Sequence, residues 1–282
     1  MIPLNKKKHN SDRFEKKWTV PASAIAVDFL SQQLLETSKS KIKKVMEIGG
    51  VWLTRNGKML QIRKAQKELK EGDILTLFYD EKLLNEKPLA PKLVADEKVY
   101  SVWLKPSGML SQGSQYGDHL SLLRIVEKQL SRPCFLVHRL DREVKGLILI
   151  AHTSQCAGEL SALFTENKIQ KRYKAEVLGM IEPSNTKIKI DTPLDGKEST
   201  THYLPIKINE EWNYTVVHVW IETGRKHQIR KHLQSVGHPV MGDPLYGVGN
   251  KNKAGLKLEA VELAFNYPDD IPRHYSLDRK KS

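Results

Sequence analysis

The sequence predicts an α+β protein with a small first domain and a larger second one, and three observations lead to this prediction. Two short segments near the N-terminus carry apolar residues at helical spacing, and the Gly49-Gly50 pair ends the second of them. A charged stretch with two prolines at 81–92 is predicted to be a linker. Beyond it, segments that alternate apolar and polar residues predict strands, with helical segments between them.

The first 18 residues carry six lysines and arginines and few apolar residues, so they are predicted to be a flexible basic tail. A first domain is predicted over 19–80. Its first helix is expected within 24–37, where the apolar positions are Ile25, Phe29, Leu30, Leu34 and Leu35. Its second helix is expected to begin after Ser38, which can cap it, and to end at the glycine pair.

Three lysines of the second helix, Lys39, Lys43 and Lys44, lie outside its apolar positions. They give the helix a cationic face that is predicted to bind RNA, with a merely solvated face as the alternative. Strands are predicted after this helix at 51–54 and 58–62, around an Asn56-Gly57 turn, and at 74–79.

The second domain is predicted over 93–282 and combines strands with helices. The predicted strands are 99–104, 147–151, 168–178 and 214–222. The predicted helices are 121–130, 156–166 and 225–236, the last stopped by Gly237. A turn-dense loop is expected at 237–247, and Lys280-Lys281 is expected to lie in a tail.

Composition limits the class of protein. Hydrophobic residues make up 39% and charged residues 28%, as in ordinary globular proteins. The apolar runs are far shorter than the ~20 residues of a membrane-spanning helix, so no membrane partner is expected. Two cysteines and an N-terminus without the apolar core of a secretory signal favour a cytoplasmic protein.

The net charge indicates a polyanionic partner. The formal charge is +13, which favours nucleic acid. Residues 1–85 hold 17 Lys and Arg against 10 Asp and Glu, so the shorter N-terminal part is the more densely basic.

A charged cluster runs directly into the predicted strand at 147–151. It consists of His138, Arg139, Asp141, Arg142, Glu143 and Lys145. A carboxylate held beside a core strand can be a catalytic group, although a charged turn that only leads into the strand has the same composition.

The helix predicted at 225–236 has an unusual charge distribution. Arg225, Lys226, His227, Arg230 and Lys231 fall in its first two turns. A helix N-terminus prefers anions by about 0.3–1 kcal/mol per group. A negative group is therefore expected nearby, either a phosphate or a carboxylate such as Asp141.

Several chemistries have no support in the sequence. The two cysteines and ten histidines show no zinc spacing, and neither nucleotide-binding glycine motif occurs. No metal and no cofactor are expected. His138 and His227 could act as general bases, but lone histidines are more often structural.

Two parts of this chain resemble known protein families. The two helices, the strand pair and the Gly72-Asp73 turn resemble the S4 RNA-binding domain. The segments 138–141 (His-Arg-Leu-Asp), 171–175 (Lys-Arg-Tyr-Lys-Ala) and 224–230 (Gly-Arg-Lys-His-Gln-Ile-Arg), followed by 242–247 (Gly-Asp-Pro-Leu-Tyr-Gly), are similar to the RluA-type RNA pseudouridine synthases. This resemblance implies a mixed, largely antiparallel sheet with flanking helices, and isomerisation of uridine to pseudouridine without a cofactor.

The resemblance also implies roles for individual residues. Asp141 would be the catalytic aspartate, Tyr173 the ring against the target uracil, and Arg230 the partner that keeps Asp141 ionised. Arg139 would enter the RNA where the target nucleotide leaves the stack. Lys105 would shape the cleft.

Further contacts with RNA are expected from Arg142, Arg225 and Lys226. The sequence departs from the family pattern at Lys145, where a small hydroxyl residue commonly precedes the glycine, so an additional cation is expected near Asp141.

The resulting hypothesis is a monomeric RNA pseudouridine synthase that acts on large-subunit ribosomal RNA, with transfer RNA as the second choice of substrate. One alternative is a non-catalytic RNA-binding or ribosome-assembly protein of the same architecture. A third possibility is an RNA-cleaving enzyme that uses His227 and Lys226, but no second acid or base for it is evident in the sequence.

Overall fold

A computed structural model describes residues 13–247 and 254–278 of the chain. Within this part the chain forms two compact units. The first comprises residues up to Pro88 together with Gln112–Ile125, and the second comprises Leu89–Ser111 and the chain from Val126 onward. The first division falls inside the stretch 81–92 that was predicted as a linker. The segment Gln112–Ile125, predicted in the second domain, belongs to the first unit.

The first unit has a four-stranded antiparallel sheet in the order β1-β6-β3-β4 and a separate two-stranded pairing of β2 with β5. Its elements in chain order are β1 (Arg13–Thr19), β2 (Ala24–Ile25), α1 (Ala26–Gln33), α2 (Lys39–Glu47), β3 (Val51–Arg55), β4 (Lys58–Gln61), β5 (Glu68–Leu69), β6 (Ile74–Asp80) and α3 (Glu81–Asn85).

The prediction of a tail extending to residue 18 is wrong for its last six residues. Arg13–Thr19 forms β1, which pairs with β6 along its whole length. Phe14 and Trp18 pack against the core of the first unit, and the Phe14 ring stacks on Tyr79 with centroids 4.8 Å apart. These two aromatic residues, four apart on one face of a strand, stabilise it despite the lysines between them. Residues 1–12 and the predicted Lys280-Lys281 tail lie outside the described residues.

The predicted second helix is confirmed as α2, and Oγ of Ser38 accepts a hydrogen bond from the Lys41 amide. Helix α1 is shorter than predicted, and Leu35 is 88% exposed rather than packed, because the helix ends before it. The stretch 81–92 contains a short helix, α3, whose start is capped by Asp80 and which buries Leu84. A single buried leucine in a charged stretch gave no helical period to detect.

The segment Gln112–Ile125 is held in the first unit by polar contacts. The indole Nε1 of Trp52 donates to the Gln115 carbonyl at 3.0 Å, and the Asp118 amide donates to the Ile48 carbonyl at 3.0 Å. The Arg63 guanidinium forms an ion pair with the Asp118 carboxylate. These contacts join residues more than 50 positions apart, which is why no local pattern predicted them.

The second unit is built on a ten-stranded sheet in the order β12-β13-β14-β11-β15-β10-β8-β7, with β9 and β16 pairing to β10 and β15 outside this path. Its elements are β7 (Lys92–Asp96), β8 (Tyr100–Lys105), α4 (Leu122–Leu130), β9 (Phe135–Leu136), β10 (Lys145–Ala151), α5 (Ser154–Thr165), β11 (Gln170–Leu178), β12 (Ile188–Ile190), β13 (Thr201–Asn209), β14 (Tyr214–Ile221), α6 (Gln228–Ser235), β15 (Leu258–Asn266) and β16 (Pro272–Ser276), with α4 beginning in the first unit.

The pairings of this sheet are antiparallel except between β10 and β15, which are parallel. A mixed, largely antiparallel sheet was the expectation, and it is confirmed. Strand β10 lies in the interior of the sheet, and Leu147–Ala151 is fully buried, as a continuous apolar run predicts. No helix of the described residues is long and apolar enough to cross a membrane.

Gly146 allows β10 to approach β15 immediately after the charged cluster. Its φ of +129° lies in a region that residues with a side chain rarely adopt, and a Cβ there would come within 2.3 Å of the Ala260 carbonyl oxygen. The strand therefore needs glycine at this position. The start of β10, and with it the end of the loop that carries Asp141, is fixed by this close approach.

We predict that Gly146→Ala lowers the free energy of unfolding by several kcal/mol, about 3 or more, because both backbone strain and a clash with Ala260 arise. Gly158→Ala is the matched control. Gly158 lies exposed inside α5 with nothing near its missing Cβ, so alanine there should stabilise by roughly 0.5–1 kcal/mol. Urea denaturation of both variants measures the difference, and equal effects would contradict the role given to Gly146.

Candidate active site

Asp141 lies on the loop between β9 and β10, and its side chain is 32% exposed. The backbone of this loop is held by the segment that follows β8. Ser111 Oγ donates to the Leu140 carbonyl at 2.8 Å and accepts from the Leu140 amide at 3.1 Å. The Gly108 amide donates to the Arg142 carbonyl at 2.8 Å. The carboxylate is therefore presented from a backbone that is fixed on both sides.

Lys105 supports the same loop from inside. Its side chain is fully buried, and Nζ donates to the carbonyls of Met109 at 2.8 Å, Pro106 at 3.1 Å and Arg142 at 3.2 Å. Burial lowers the pKa of Lys105 to about 8, against the attraction of Glu143 and Asp141. Its three contacts are all to backbone carbonyls, so it shapes the loop.

The strongest ion pair of the site joins Arg230 of α6 to Asp243. Nε of Arg230 lies 2.7 Å from Oδ2 of Asp243, and Nη2 lies 2.7 Å from Oδ1. Both side chains are almost completely buried. Burial disfavours both charges, but their mutual hydrogen bonds prevail, raising the pKa of Arg230 and lowering the pKa of Asp243. The guanidinium is thus fixed as a cation.

The remaining nitrogen of that guanidinium faces Asp141. Nη1 of Arg230 lies 3.6 Å from Oδ2 of Asp141 and makes no hydrogen bond within the described part of the chain. The expected pair of Arg230 and Asp141 is therefore within ion-pair distance, but the two short hydrogen bonds of Arg230 go to Asp243. The sequence motif 242–247 contains Asp243, but no role was predicted for this aspartate.

Tyr173 of β11 is buried and close enough to Asp141 to feel its charge. Burial, with a smaller effect of Asp141, raises the pKa of the Tyr173 phenol. The side chain is therefore neutral at physiological pH, where it offers an aromatic face and a hydroxyl group rather than a basic phenolate.

The N-terminal end of α6 differs from the prediction. The helix begins at Gln228, so Arg225, Lys226 and His227 precede it rather than occupy its first turn. His227 adopts a left-handed conformation with φ 56°, and the side chain of Gln228 holds the approach by accepting from the Arg225 amide at 3.0 Å. A left-handed residue is a rare conformation that the sequence pattern does not encode.

His227 also takes part in the site. Its Nε2 lies 3.8 Å from Oδ2 of Asp141, and its Nδ1 lies 3.0 Å from the hydroxyl of Tyr246. Burial lowers the pKa of His227, reinforced by Arg230 and opposed by Asp141.

Two other members of the charged cluster are structural. His138 Nε2 accepts the Leu149 amide at 2.9 Å, and its ring stacks on Phe164. Burial, with Lys171 nearby, lowers the pKa of His138 to about 3. Lys145 pairs with Glu259 of the neighbouring strand, with Nζ 3.3 Å from Oε2. The extra cation that the sequence placed near Asp141 therefore has its own carboxylate.

The cations expected to contact RNA lie at the surface. Arg139, Arg142, Arg225 and Lys226 are exposed. Nε of Arg142 donates to the Gly108 carbonyl at 3.0 Å, and Nε of Arg225 donates to the Glu198 carbonyl at 3.2 Å. Both guanidinium groups therefore have part of their donors available to a polyanion.

A local signal could have identified Asp243. Its Oδ1 accepts the amides of Leu245 and Tyr246 at 2.9 and 3.0 Å, the arrangement of an Asx turn, which the Gly-Asp-Pro sequence favours. The bond to Arg230 had no such signal, because the two residues meet only through the fold.

Comparison with known proteins identifies the family to which this chain belongs. A model described as RNA pseudouridylate synthase matches residues 99–235. An uncharacterized RNA pseudouridine synthase of Aquifex aeolicus is 34% identical over 245 residues, which are 78% of this chain and 75% of that protein. The chain belongs to the RNA pseudouridine synthase family.

This pseudouridine synthase has other relatives with more specific names. The ribosomal large subunit pseudouridine synthase D of Buchnera aphidicola is 31% identical, over 77% of this chain and 73% of that protein. The structure of human RNA pseudouridylate synthase domain containing 1 is similar in fold, with a TM-score of 0.58 and 21% identity, covering 68% of this chain and 86% of that one. The chain is an enzyme of the isomerase class, with the fold that this family shares.

We predict that Asp243→Asn destabilises the protein by about 3–5 kcal/mol, because it removes the buried counter-charge that is hydrogen-bonded to Arg230 and leaves only the more distant, partly exposed Asp141. Asp195→Asn is the matched control. Asp195 also pairs with a basic residue of α6, Lys231, at 2.9 Å, but it is 71% exposed. Its substitution should change the urea midpoint little. Similar losses in the two variants would show that burial of the pair is not what matters.

We predict that His138 makes stability depend on pH in the acid range. The folded-state pKa of about 3 lies below the value of about 6.5 expected when unfolded. The contribution is therefore complete above pH 6.5 and declines as the pH falls, by up to about 1.4 kcal/mol per unit.

His138→Gln can keep the acceptor for Leu149 without titrating. Between pH 6 and pH 4.5 the free energy of unfolding should fall less steeply with pH in this variant than in the wild type. The difference in slope should correspond to the binding of about one proton. Parallel curves for the two proteins, measured by urea denaturation, would contradict the assignment.

Proposed function

We propose that this pseudouridine synthase isomerises uridine in large-subunit ribosomal RNA, with Asp141 as its catalytic residue. The observation that carries the proposal is the position of the Asp141 carboxylate, which is partly exposed, held by a rigid loop and faced by the buried Arg230 cation at 3.6 Å. A single ionised carboxylate in such a setting suits the reaction.

The reaction breaks the bond between N1 of uracil and C1′ of ribose and forms a bond between C5 and C1′. C5 loses its proton and N1 gains one, so substrate and product have the same composition. The uracil leaves as a stabilised anion that stays in the pocket, so a second carboxylate to protonate it is not required, unlike in most glycosidases. Asp141 acts on the ribose either by attack at C1′ or by removing a proton. Both routes begin with the ionised carboxylate.

The neighbouring groups have distinct roles in this proposal. Arg230 attracts and orients the Asp141 carboxylate at 3.6 Å, and the bond to Asp243 prevents the guanidinium from leaving its position. Tyr173 places its ring against the uracil and stays neutral. Because the target atoms are inaccessible within a stacked helix, the nucleotide must flip out. Arg139, exposed two positions before Asp141, is the side chain that we propose enters the vacated space.

The structure removes a reason for preferring a non-catalytic RNA-binding protein. A lysine at position 145 that paired with Asp141 would have favoured that alternative, because it would occupy the carboxylate. The pairing of Lys145 with Glu259 leaves the carboxylate of Asp141 to Arg230 and His227.

We also propose that the first unit is an S4-like RNA-binding domain. This proposal is supported by the two successive helices α1 and α2 beside an antiparallel sheet, and by the exposed lysines of α2. Lys39 is paired with Asp28, whereas Lys43 and Lys44 are exposed on the same helix. Lys43 and Lys44 are therefore the stronger candidates for phosphate contacts.

Ribosomal RNA is favoured over transfer RNA because the similarity to the large-subunit synthase covers 77% of this chain, whereas the similarity to the tRNA pseudouridine synthase C of Vibrio parahaemolyticus covers 64%. We further propose that the enzyme acts as a cytoplasmic monomer.

Asp141→Asn tests the catalytic assignment. The variant keeps the size of the side chain but loses the negative charge, so pseudouridine formation should fall by at least ~10³-fold, while RNA affinity stays within about threefold. Chemical mapping of pseudouridine in ribosomal and transfer RNA, from cells with the wild type, the variant or no gene, identifies the target. A variant as active as the wild type would refute the assignment, and loss of a transfer RNA site alone would refute the choice of substrate.

The double substitution Lys43→Gln/Lys44→Gln tests the RNA-binding role of the first unit. Two lost phosphate contacts should reduce the slope of log affinity against log salt by roughly 1.5–2. The matched control is Lys189→Gln/Lys207→Gln, which removes the same charge from exposed positions of β12 and β13. If the control pair reduces the slope equally, only net charge matters.

A further inference from the structure

His227 stands at a point of backbone strain that faces the proposed catalytic carboxylate. Its φ of 56° and ψ of 25° place a residue with a large side chain in the left-handed region. Such conformations are unfavourable for residues with a side chain and persist only where surrounding contacts impose them. The turn is imposed by Gln228, whose side-chain oxygen accepts from Thr223 Oγ1 at 2.7 Å and from the Arg225 amide.

The strained turn directs the imidazole between two oxygen atoms. Nδ1 lies 3.0 Å from the Tyr246 hydroxyl, and Nε2 lies 3.8 Å from Oδ2 of Asp141. The rings of His227 and Tyr246 meet edge to face with centroids 5.7 Å apart. Only 15% of the His227 side chain is exposed, so water competes little for its nitrogens.

The charge of Asp141 decides which nitrogen carries the proton in the neutral ring. A lone pair on Nε2 would face the carboxylate and be repelled by it, whereas an N–H there would be attracted. Nε2 therefore carries the hydrogen, Nδ1 is the acceptor, and the Tyr246 hydroxyl donates to it. Asp243 fixes this tyrosine through its backbone amide, with Oδ1 of Asp243 accepting at 3.0 Å.

We propose that His227 is a positioning residue that orients Asp141 through its Nε2–H, and that Tyr246 selects the required tautomer. The proposal rests on the proposed function, since it assigns a residue to the reaction of Asp141. Both His227 and Arg230 approach the same oxygen, Oδ2, so Oδ1 is left to face the ribose. The distance of 3.8 Å shortens when RNA fills the site, as catalytic hydrogen bonds often do on substrate binding.

Two substitutions separate the two nitrogens of His227. The side-chain amide of Gln reaches about as far as Nε2, and the shorter amide of Asn reaches about as far as Nδ1. His227→Gln therefore keeps a donor for Asp141, whereas His227→Asn keeps only a partner for Tyr246 and suits the left-handed backbone well. A purely structural role of the turn would favour Asn, and the proposed role favours Gln.

The test measures single-turnover pseudouridine formation with full-length enzyme and an RNA that the wild type modifies. We expect His227→Asn to lose roughly 10- to 100-fold in rate with unchanged RNA affinity, and His227→Gln to stay within about threefold of the wild type. Equal rates in the two variants, or a faster Asn variant, would overturn the proposal. Thermal unfolding of both variants verifies that each is folded.

Tyr246→Phe provides a second measurement. It should lower the rate about 2- to 10-fold in the wild-type background, the effect of one hydrogen bond. In the His227→Gln background, Tyr246→Phe should leave the rate unchanged, because glutamine has no Nδ1 to accept a hydrogen bond from the hydroxyl. Equal losses in both backgrounds would overturn the role given to Tyr246.

The same assay distinguishes failure of the proposed function from failure of the role proposed for His227. If the wild type forms no pseudouridine, or Asp141→Asn is as active as the wild type, the proposed function fails. If Asp141→Asn is inactive and His227→Asn reacts at the wild-type rate, only the role of His227 fails.

Discussion

The buried ion pair between Arg230 and Asp243 is the interaction on which the rest of the site depends. Two charges that are almost completely removed from water are stable only when each satisfies the other in good geometry. The two bonds of 2.7 Å meet that condition. They use two nitrogens of the guanidinium and leave the third, Nη1, directed at Asp141. The geometry of Asp141, the proposed catalytic carboxylate, is therefore linked to Asp243, a second carboxylate to which the proposed mechanism gives no chemical step.

Asp243 connects this pair to a second set of contacts. The oxygen that accepts from Arg230 Nη2 also accepts the amides of Leu245 and Tyr246, so one carboxylate fixes both the cation and the turn after it. Tyr246 then reaches His227, and His227 faces Asp141. Helix α6 and the loop after it thus contribute to the site as one body. A substitution in either element would disturb the other through Asp243.

The opposite side of Asp141 is held mainly by backbone hydrogen bonds. Ser111, Gly108 and Lys105 fix the loop before β10, and Gly146 fixes the start of that strand against β15. Asp141 therefore lies between a rigid backbone support and a side-chain network. Such preorganisation is what the proposed reaction requires, because the protein groups must be in place before the bond to the base breaks.

The sequence by itself determined the elements and the composition of the site. Local spacing defined α2 with its Ser38 cap, the apolar strand Leu147–Ala151 and the Asn56-Gly57 turn, because caps, periodicity and turns depend on neighbouring residues. The family resemblance singled out Asp141, Tyr173 and Arg230, which the fold brings near one another. Only the tertiary structure assigned Asp243 to Arg230, Glu259 to Lys145 and His227 to Asp141, because these partners are separated in sequence by 13, 114 and 86 positions. It also placed Gln112–Ile125 with the first unit. Electrostatic partners are chosen by distance in space, and no local pattern records that distance.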